Sequence, residues 1–248
     1  MMTYLLQIAY SGVNYSGFQI QKNAKTVAGE LTRASKLLFG VECKIQGCSR
    51  TDAGVHARQF YCSIHTGDGA NNVPPDRIPA ALNCLLPYDI AVIEAKTAPD
   101  GYNPRFETAY KEYCYVIYNK AEKDPFSYKL KLPYPYPLDA EMLDKEAKDY
   151  IGEHDFASFM ASGSDVVSTV RTVYDASVKR VCDDVIFTVS ADGFLYNMVR
   201  IMTGTLLYIS EGKIEKGAIP GIIKAKDRSR AGFTVSPDGL YLNRVVLK

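Results

Sequence analysis

The 248-residue chain has no tryptophan, only three histidines, and no apolar run approaching the eighteen or more residues that a membrane helix needs. Its start, MMTYLLQIAYSG, lacks a basic region and a cleavage site, so neither export nor membrane insertion is expected. Cysteines at 43, 48, 62, 84, 114 and 182 form no C-x-x-C pair, and histidines at 56, 65 and 154 form no H-x-x-x-H pair, which argues against a metal site. Thiols scattered in this way fit a reducing compartment, and the cytoplasm is the expected location. A glycine-rich phosphate fingerprint is also missing; Gly67-Asp68-Gly69 reads as an ordinary loop. Nor does one sign of charge dominate, with 29 Lys and Arg against 28 Asp and Glu. That balance gives a nucleic-acid partner little support by itself. Lys213, Lys216, Lys224, Lys226, Arg228, Arg230, Arg244 and Lys248 make the C-terminal stretch locally basic, but on charge alone they read as a solvated face.

What is present is ordinary globular material. Hydrophobic residues make up 47% and charged residues 23%, in a chain long enough to bury a core without staples. Thr3 to Tyr10 is rich in β-formers, and turn residues follow from Ser11 to Gly17. Thr26 can cap a helix in which Val27, Leu31, Ala34 and Leu38 share a face, and Gly40 ends it. Alternation at Val41, Cys43 and Ile45, and again from Phe60 to Ile64, predicts two strands. Pro74 to Leu85 predicts a second helix and Ile90 to Thr97 a further strand. The order is β-α-β-β-α-β. The second half repeats it less clearly. A tyrosine-rich strand runs over Ala109 to Asn119. A helix capped by Asp139 has Leu143, Ala147, Tyr150 and Ile151 on one face. A hairpin joins Val173–Arg180 to Val185–Ser190, a helix spans Asn197 to Ile209, and a closing strand spans Leu240 to Leu247. The expected class is therefore α+β: two tandem ferredoxin-like (RRM-like) units, residues 1–105 and 106–248, with antiparallel sheets and helices on one side. Such sheets can stack RNA bases on aromatics, yet aromatic strands pack cores more often, so the fold names no function.

Chemistry is concentrated in GCSRTDAGVHA, Gly47 to Ala57, where Arg50, Asp52 and His56 sit among glycines that permit close backbone approach. From residue types alone, a turn in which Asp52 accepts backbone amides and pairs with Arg50 explains the run as well as a catalytic site does. His56 reads as a hydrogen-bonding structural residue, and Cys48 and Cys114 as buried fillers.

The run resembles the signature of the tRNA pseudouridine synthase A family, in which a G-R-T-D-x-G-V-H-A pattern carries the catalytic aspartate; Ser49 to Ala57 matches it except at Ser49. The likeness continues through YSGFQIQ, NPRFETAYKEYCYVIYN, HDFASF, GFLYNMVRIMTG and GLYL, in the same order. It implies a pseudouridine synthase fold, a nucleophilic aspartate at Asp52, a uridine-contacting tyrosine at Tyr113 and a substrate-binding arginine at Arg200. Arg50 is a further candidate for holding RNA phosphate. It also implies a homodimer that takes the anticodon arm of transfer RNA, with targets at nucleotides 38 to 40, and no cofactor. The reaction breaks C1′–N1, turns the base and joins C1′ to C5. One carboxylate can attack C1′ or remove a sugar proton, and both routes stay open. Asp52 must be ionised in either, with Arg200 and Arg50 as the cations that would favour the charge, while the Tyr113 ring would stack on uracil. Phe18 stands where the family usually has tryptophan, Cys48-Ser49 replaces the usual small pair before the arginine, and Gln59-Phe60 stands where Gly-Gln is common. A nucleoside hydrolase and a non-catalytic RNA-binding protein are the alternatives; the first usually needs a second carboxylate or a metal, and the second has no need of Asp52.

Overall fold

The computed structural model describes residues 2–163 and 166–248. Among them the fold mixes helices and strands, and the chain divides by its internal contacts into Met1–Ala109 with Tyr241–Lys248, and Tyr110–Leu240.

The first unit begins with β1 (Thr3–Tyr10), α1 (Val27–Phe39), β2 (Cys43–Gly47), β3 (His56–Thr66), α2 (Ile78–Leu85) and β4 (Ile90–Thr97). Its strands lie in the order β4-β1-β3-β2, every neighbouring pair antiparallel. Tyr4, Leu6, Ile8 and Tyr10 alternate along β1 and are all buried, as a half-covered strand requires. Tyr4 stacks on Phe39 at 5.4 Å, so this is the face that α1 covers, and α2 contacts both α1 and β4. The helix signals act as their chemistry dictates. The Thr26 side chain accepts from the Gly29 amide, a cap typically contributing about 1 kcal/mol. Gly40 ends α1 in the left-handed region at φ 75°.

The second unit holds β5 (Thr108–Tyr118), the two-residue β6 (Leu132–Pro133), α3 (Ala140–Lys148), β7 (Gly152–Asp155), β8 (Val170–Val181), β9 (Asp184–Ala191), α4 (Met198–Ser210) and α5 (Ile219–Ala225). β9 pairs antiparallel with both β5 and β8, β8 pairs with β7, and β6 runs parallel to β5. Asp139 caps α3 by accepting from the amides of Glu141 and Met142. Helix α3 is shorter than its apolar pattern suggests: it stops at Lys148, and Tyr150 packs beyond it, fully buried, donating its hydroxyl to the Met202 carbonyl. The pattern reported burial correctly at Leu143, Ala147 and Tyr150 but not conformation, because a buried residue just past a helix end keeps the same facing; Ile151, assigned to the same face, is exposed. Strand β7 and helix α5 carried no sequence signal. GEHD has no apolar alternation, and a seven-residue helix offers too few turns for a period to register.

The final strand, β10 (Leu240–Leu247), runs parallel to β3, with Tyr241 opposite His56 and Leu242 opposite Ala57. By contacts, residues from Tyr241 onward thus join the first unit, although they come last in the chain.

Candidate active site

Asp52 lies in the loop between β2 and β3, half-buried, with Arg50 exposed two residues before it and Thr51 buried between them. The Val55 amide donates to the Asp52 carbonyl at 3.2 Å, closing a four-residue turn whose third residue, Gly54, has φ 80°. A turn with positive φ at that position favours glycine because any Cβ there would be strained.

The turn is held from outside by the segment that follows β1. The Phe18 amide donates to the Thr51 carbonyl, and the Gly54 amide to the Tyr15 carbonyl, each at 3.2 Å. Tyr10 and Thr51 share a hydroxyl–hydroxyl bond of 2.8 Å in the interior. Two glycines make the approach possible. A Cβ on Gly12 would stand 2.1 Å from the Val55 carbonyl oxygen, and one on Gly17 would stand 2.4 Å from that of Thr51. No side chain of any size fits at either position.

His56 closes the loop at its far end. The Gly12 amide donates to His56 Nδ1 at 3.1 Å, so Nδ1 is the unprotonated nitrogen of a ring that is 1% exposed. The ring stacks on Tyr241 at 4.6 Å, and the Arg58 guanidinium lies 4.6 Å from the same tyrosine ring. This is the structural role that residue type suggests for His56. β10 is bound in again where the Val245 amide donates to Gln59 Oε1.

The departures from the family pattern have a packing explanation. Phe18 stacks on Phe60 at 4.3 Å, both are buried, and Gly47 lies beneath them with room for no Cβ. The smaller ring where the family usually has tryptophan meets a phenyl ring where it commonly has glutamine, so the two changes occupy one volume. Cys48 is fully buried, as a small filler, and accepts weakly from the Tyr61 amide.

In the second unit, Tyr113 sits on β5 opposite Val189, 7% exposed, with its ring edge-on to Phe194 at 5.0 Å. Tyr115, two residues along and therefore on the same face, is fully buried and donates to the Ser236 carbonyl at 2.6 Å. Burial pushes the Tyr115 hydroxyl far up, more than its hydrogen bond and the nearby Arg200 charge lower it, so it stays a neutral donor. Arg200 is half-buried in the first turn of α4; it donates Nε to the Val235 carbonyl at 2.7 Å and Nη1 to Asn197 Oδ1 at 2.5 Å. The second unit thus brings Tyr113 and Arg200 to the two ends of one short segment, Phe194 to Arg200.

The chain from Ala231 to Ser236 supplies the carbonyls used here, and it is locked onto α4. A Cβ on Gly204 would stand 1.9 Å from the Phe233 carbonyl oxygen, and the Gly232 amide donates to Thr205 Oγ1 at 2.8 Å. Arg228 donates to the Gly232 carbonyl and to Thr234 Oγ1; among the eight C-terminal bases, this one is structural rather than a solvated charge. Sequence reasoning passed over Gly12, Gly17, Gly204 and Asn197. Gly17, Gly204 and Asn197 fall inside the stretches YSGFQIQ and GFLYNMVRIMTG that carry the family likeness, whereas Gly12 lies outside them, among the turn residues from Ser11 to Gly17.

A family model described as tRNA pseudouridine synthase matches residues 147–246. Over 246 residues the chain is 42% identical to the tRNA pseudouridine synthase A of Thermoanaerobacter sp. (strain X514), covering 99% of this chain and 100% of the relative. The protein of the same description from Caldicellulosiruptor bescii is 40% identical over 246 residues, again with 99% and 100% coverage. That from Clostridium acetobutylicum is 38% identical over 241 residues, covering 97% of this chain and 98% of the relative.

Proposed function

The chain belongs to the tRNA pseudouridine synthase A family, and on that premise we propose that it isomerises uridine to pseudouridine at positions 38 to 40 in the anticodon arm of transfer RNA, with Asp52 as its reactive carboxylate. The observation that carries the reading is full-length identity of 42% to a relative so described, together with an intact Arg50-Thr51-Asp52 run. Support for Asp52 comes from its turn, which is over-determined by two glycine contacts, two backbone bonds and the buried Tyr10–Thr51 pair. A carboxylate that must meet C1′ of a flipped nucleotide gains rate from such pre-organisation.

Asp52 either attacks C1′ as the C1′–N1 bond breaks, or removes a sugar proton to give a glycal. After the base turns, C5 bonds to C1′, displacing the Asp52 ester on the first route or adding to the glycal as the sugar proton is returned on the second; the C5 proton is lost and N1 gains one, so atoms balance with no oxidant, reductant or cofactor. The Tyr113 ring stacks on the uracil, Arg200 engages the substrate as a fixed cation, and Arg50, exposed beside the turn, contacts RNA phosphate. The same reading treats the chain as two tandem ferredoxin-like units, residues 1–105 with the aspartate loop and 106–248 with Tyr113 and Arg200. It makes the enzyme a cytoplasmic homodimer.

The test is to incubate the protein with unmodified transfer RNA and map pseudouridine by chemical labelling. The native chain is expected to convert positions within 38 to 40 with no change of mass. Release of free uracil would identify a hydrolase instead, and conversion confined to other positions would reassign the target.

A further inference from the structure

We propose that Asn197 is a positioning residue whose function is to orient the Arg200 guanidinium, an inference that rests on the substrate role assigned above to Arg200. Asn197 precedes α4 at φ 61°, ψ 11°, in the left-handed region. Non-glycine residues enter that region at a cost, and asparagine enters it more readily than most. Asparagine at a helix start ordinarily recovers stability by accepting an amide hydrogen of the first turn. Asn197 makes no such cap bond. Its Oδ1 instead accepts Arg200 Nη1 at 2.5 Å, while its own backbone carbonyl accepts the Ile201 amide and starts the helix.

A less favourable backbone conformation and a forgone cap are thus both spent on one contact. With the Val235 carbonyl at 2.7 Å from Nε, Asn197 supplies the second of two acceptors on one planar group, and two in-plane acceptors set the plane and its rotation. Either one alone would leave the guanidinium free to swing about the remaining bond. Strained geometry held in place by its surroundings is where function is often found, and here the beneficiary is one bond away. The neighbouring contacts agree: Phe194, three residues earlier, meets Tyr113, so the segment that turns into α4 at Asn197 touches both substrate-facing side chains of this unit.

Asn197→Gly is the decisive variant, since glycine keeps the left-handed backbone at no steric cost and removes only the acceptor. In the full-length protein its melting temperature is expected to equal or exceed the native value. Single-turnover kcat on transfer RNA is expected to fall about 30-fold with KM within about threefold, the pattern of a misoriented group rather than a lost binding contact. In an Arg200→Lys background the same change is expected to add less than about twofold, because the group it orients is gone. Native kcat in Asn197→Gly, or full additivity with Arg200→Lys, overturns the proposal. Arg200→Met separates the two levels. If it retains native kcat, the role given to Arg200 fails and this inference with it; if it is inactive while Asn197→Gly is fully active, only the positioning role is lost.

Discussion

The Asp52 turn and the start of α4 hold their candidate site side chains by opposite means. Around Asp52 the restraint is steric and carried by main chain: glycines at 12 and 17 let one loop lie directly on another, and backbone amides and carbonyls bond across the contact. Around Arg200 the last restraint is a pair of acceptors on one guanidinium, one of them a side chain. The first arrangement fails as a whole when any atom is added. The second can be weakened one hydrogen bond at a time while the fold stands. Steric restraint suits a short carboxylate with two torsions, whereas a long arginine needs its far end held directly.

The largest effect that would test this contrast is the loss of the carboxylate itself. Asp52→Asn is expected to lower kcat by on the order of 10⁴-fold while filter binding still shows transfer RNA retained; activity within tenfold of native would remove Asp52 from the chemistry. Next comes the steric restraint. Gly12→Ala drives a methyl into the Val55 carbonyl and is expected to cost about 3 kcal/mol in urea unfolding, with activity falling in parallel. An unchanged unfolding midpoint would mean that the loop yields, and the contrast with α4 would collapse. Phe18→Trp is expected to cost about 2 kcal/mol, since the larger ring meets Phe60 and Gly47, and Phe60→Leu in the same chain should recover part of it. Strict additivity would show that the two rings do not share one volume.

Smaller changes sharpen the same point. Tyr10→Phe leaves the buried Thr51 hydroxyl short of a partner, for about 1 kcal/mol and a modest loss of kcat. The smallest effect is expected at Asp155, which belongs to neither the Asp52 turn nor the start of α4. Hydrogen bonds from Lys226, then from Thr169 and the Ala157 amide, hold its carboxyl below the usual range. A depressed native value contributes stability above the unfolded carboxylate pKa of about 3.9, and that contribution is lost as pH falls through the native value. Urea midpoints of native protein and Asp155→Asn should therefore differ at pH 7 and converge below about pH 4; a constant gap would show that the carboxylate's ionisation contributes nothing.

Much of the fold was legible because its signals are local. Thr26, Gly40 and Asp139 cap the helices their sequence context announces, and the alternating Tyr4, Leu6, Ile8 and Tyr10 bury one face of β1. The extra length assigned to α3 came from reading burial as helix, when Tyr150 is buried just beyond the last turn. Strand β7, polar throughout, and helix α5, two turns long, had no periodicity to read. Of the candidate site, GCSRTDAGVHA stood out by composition and likeness. The residues that hold it did not, because glycine and asparagine are ordinary turn residues until a neighbour's carbonyl is found 2.1 Å from where a Cβ would stand.

By itself the sequence determined the β-α-β-β-α-β order of the first unit, the caps, the buried faces and the run that carries Asp52. These follow from interactions between residues a few positions apart, which leave a period or a cap in the chain. Only the tertiary structure decided that the Tyr10–Phe18 segment lies against Thr51–Val55, that Tyr241 stacks on His56, and that Asn197 and Val235 share the Arg200 guanidinium. Those contacts join residues whose separation along the chain obeys no repeat, and close packing alone selects them.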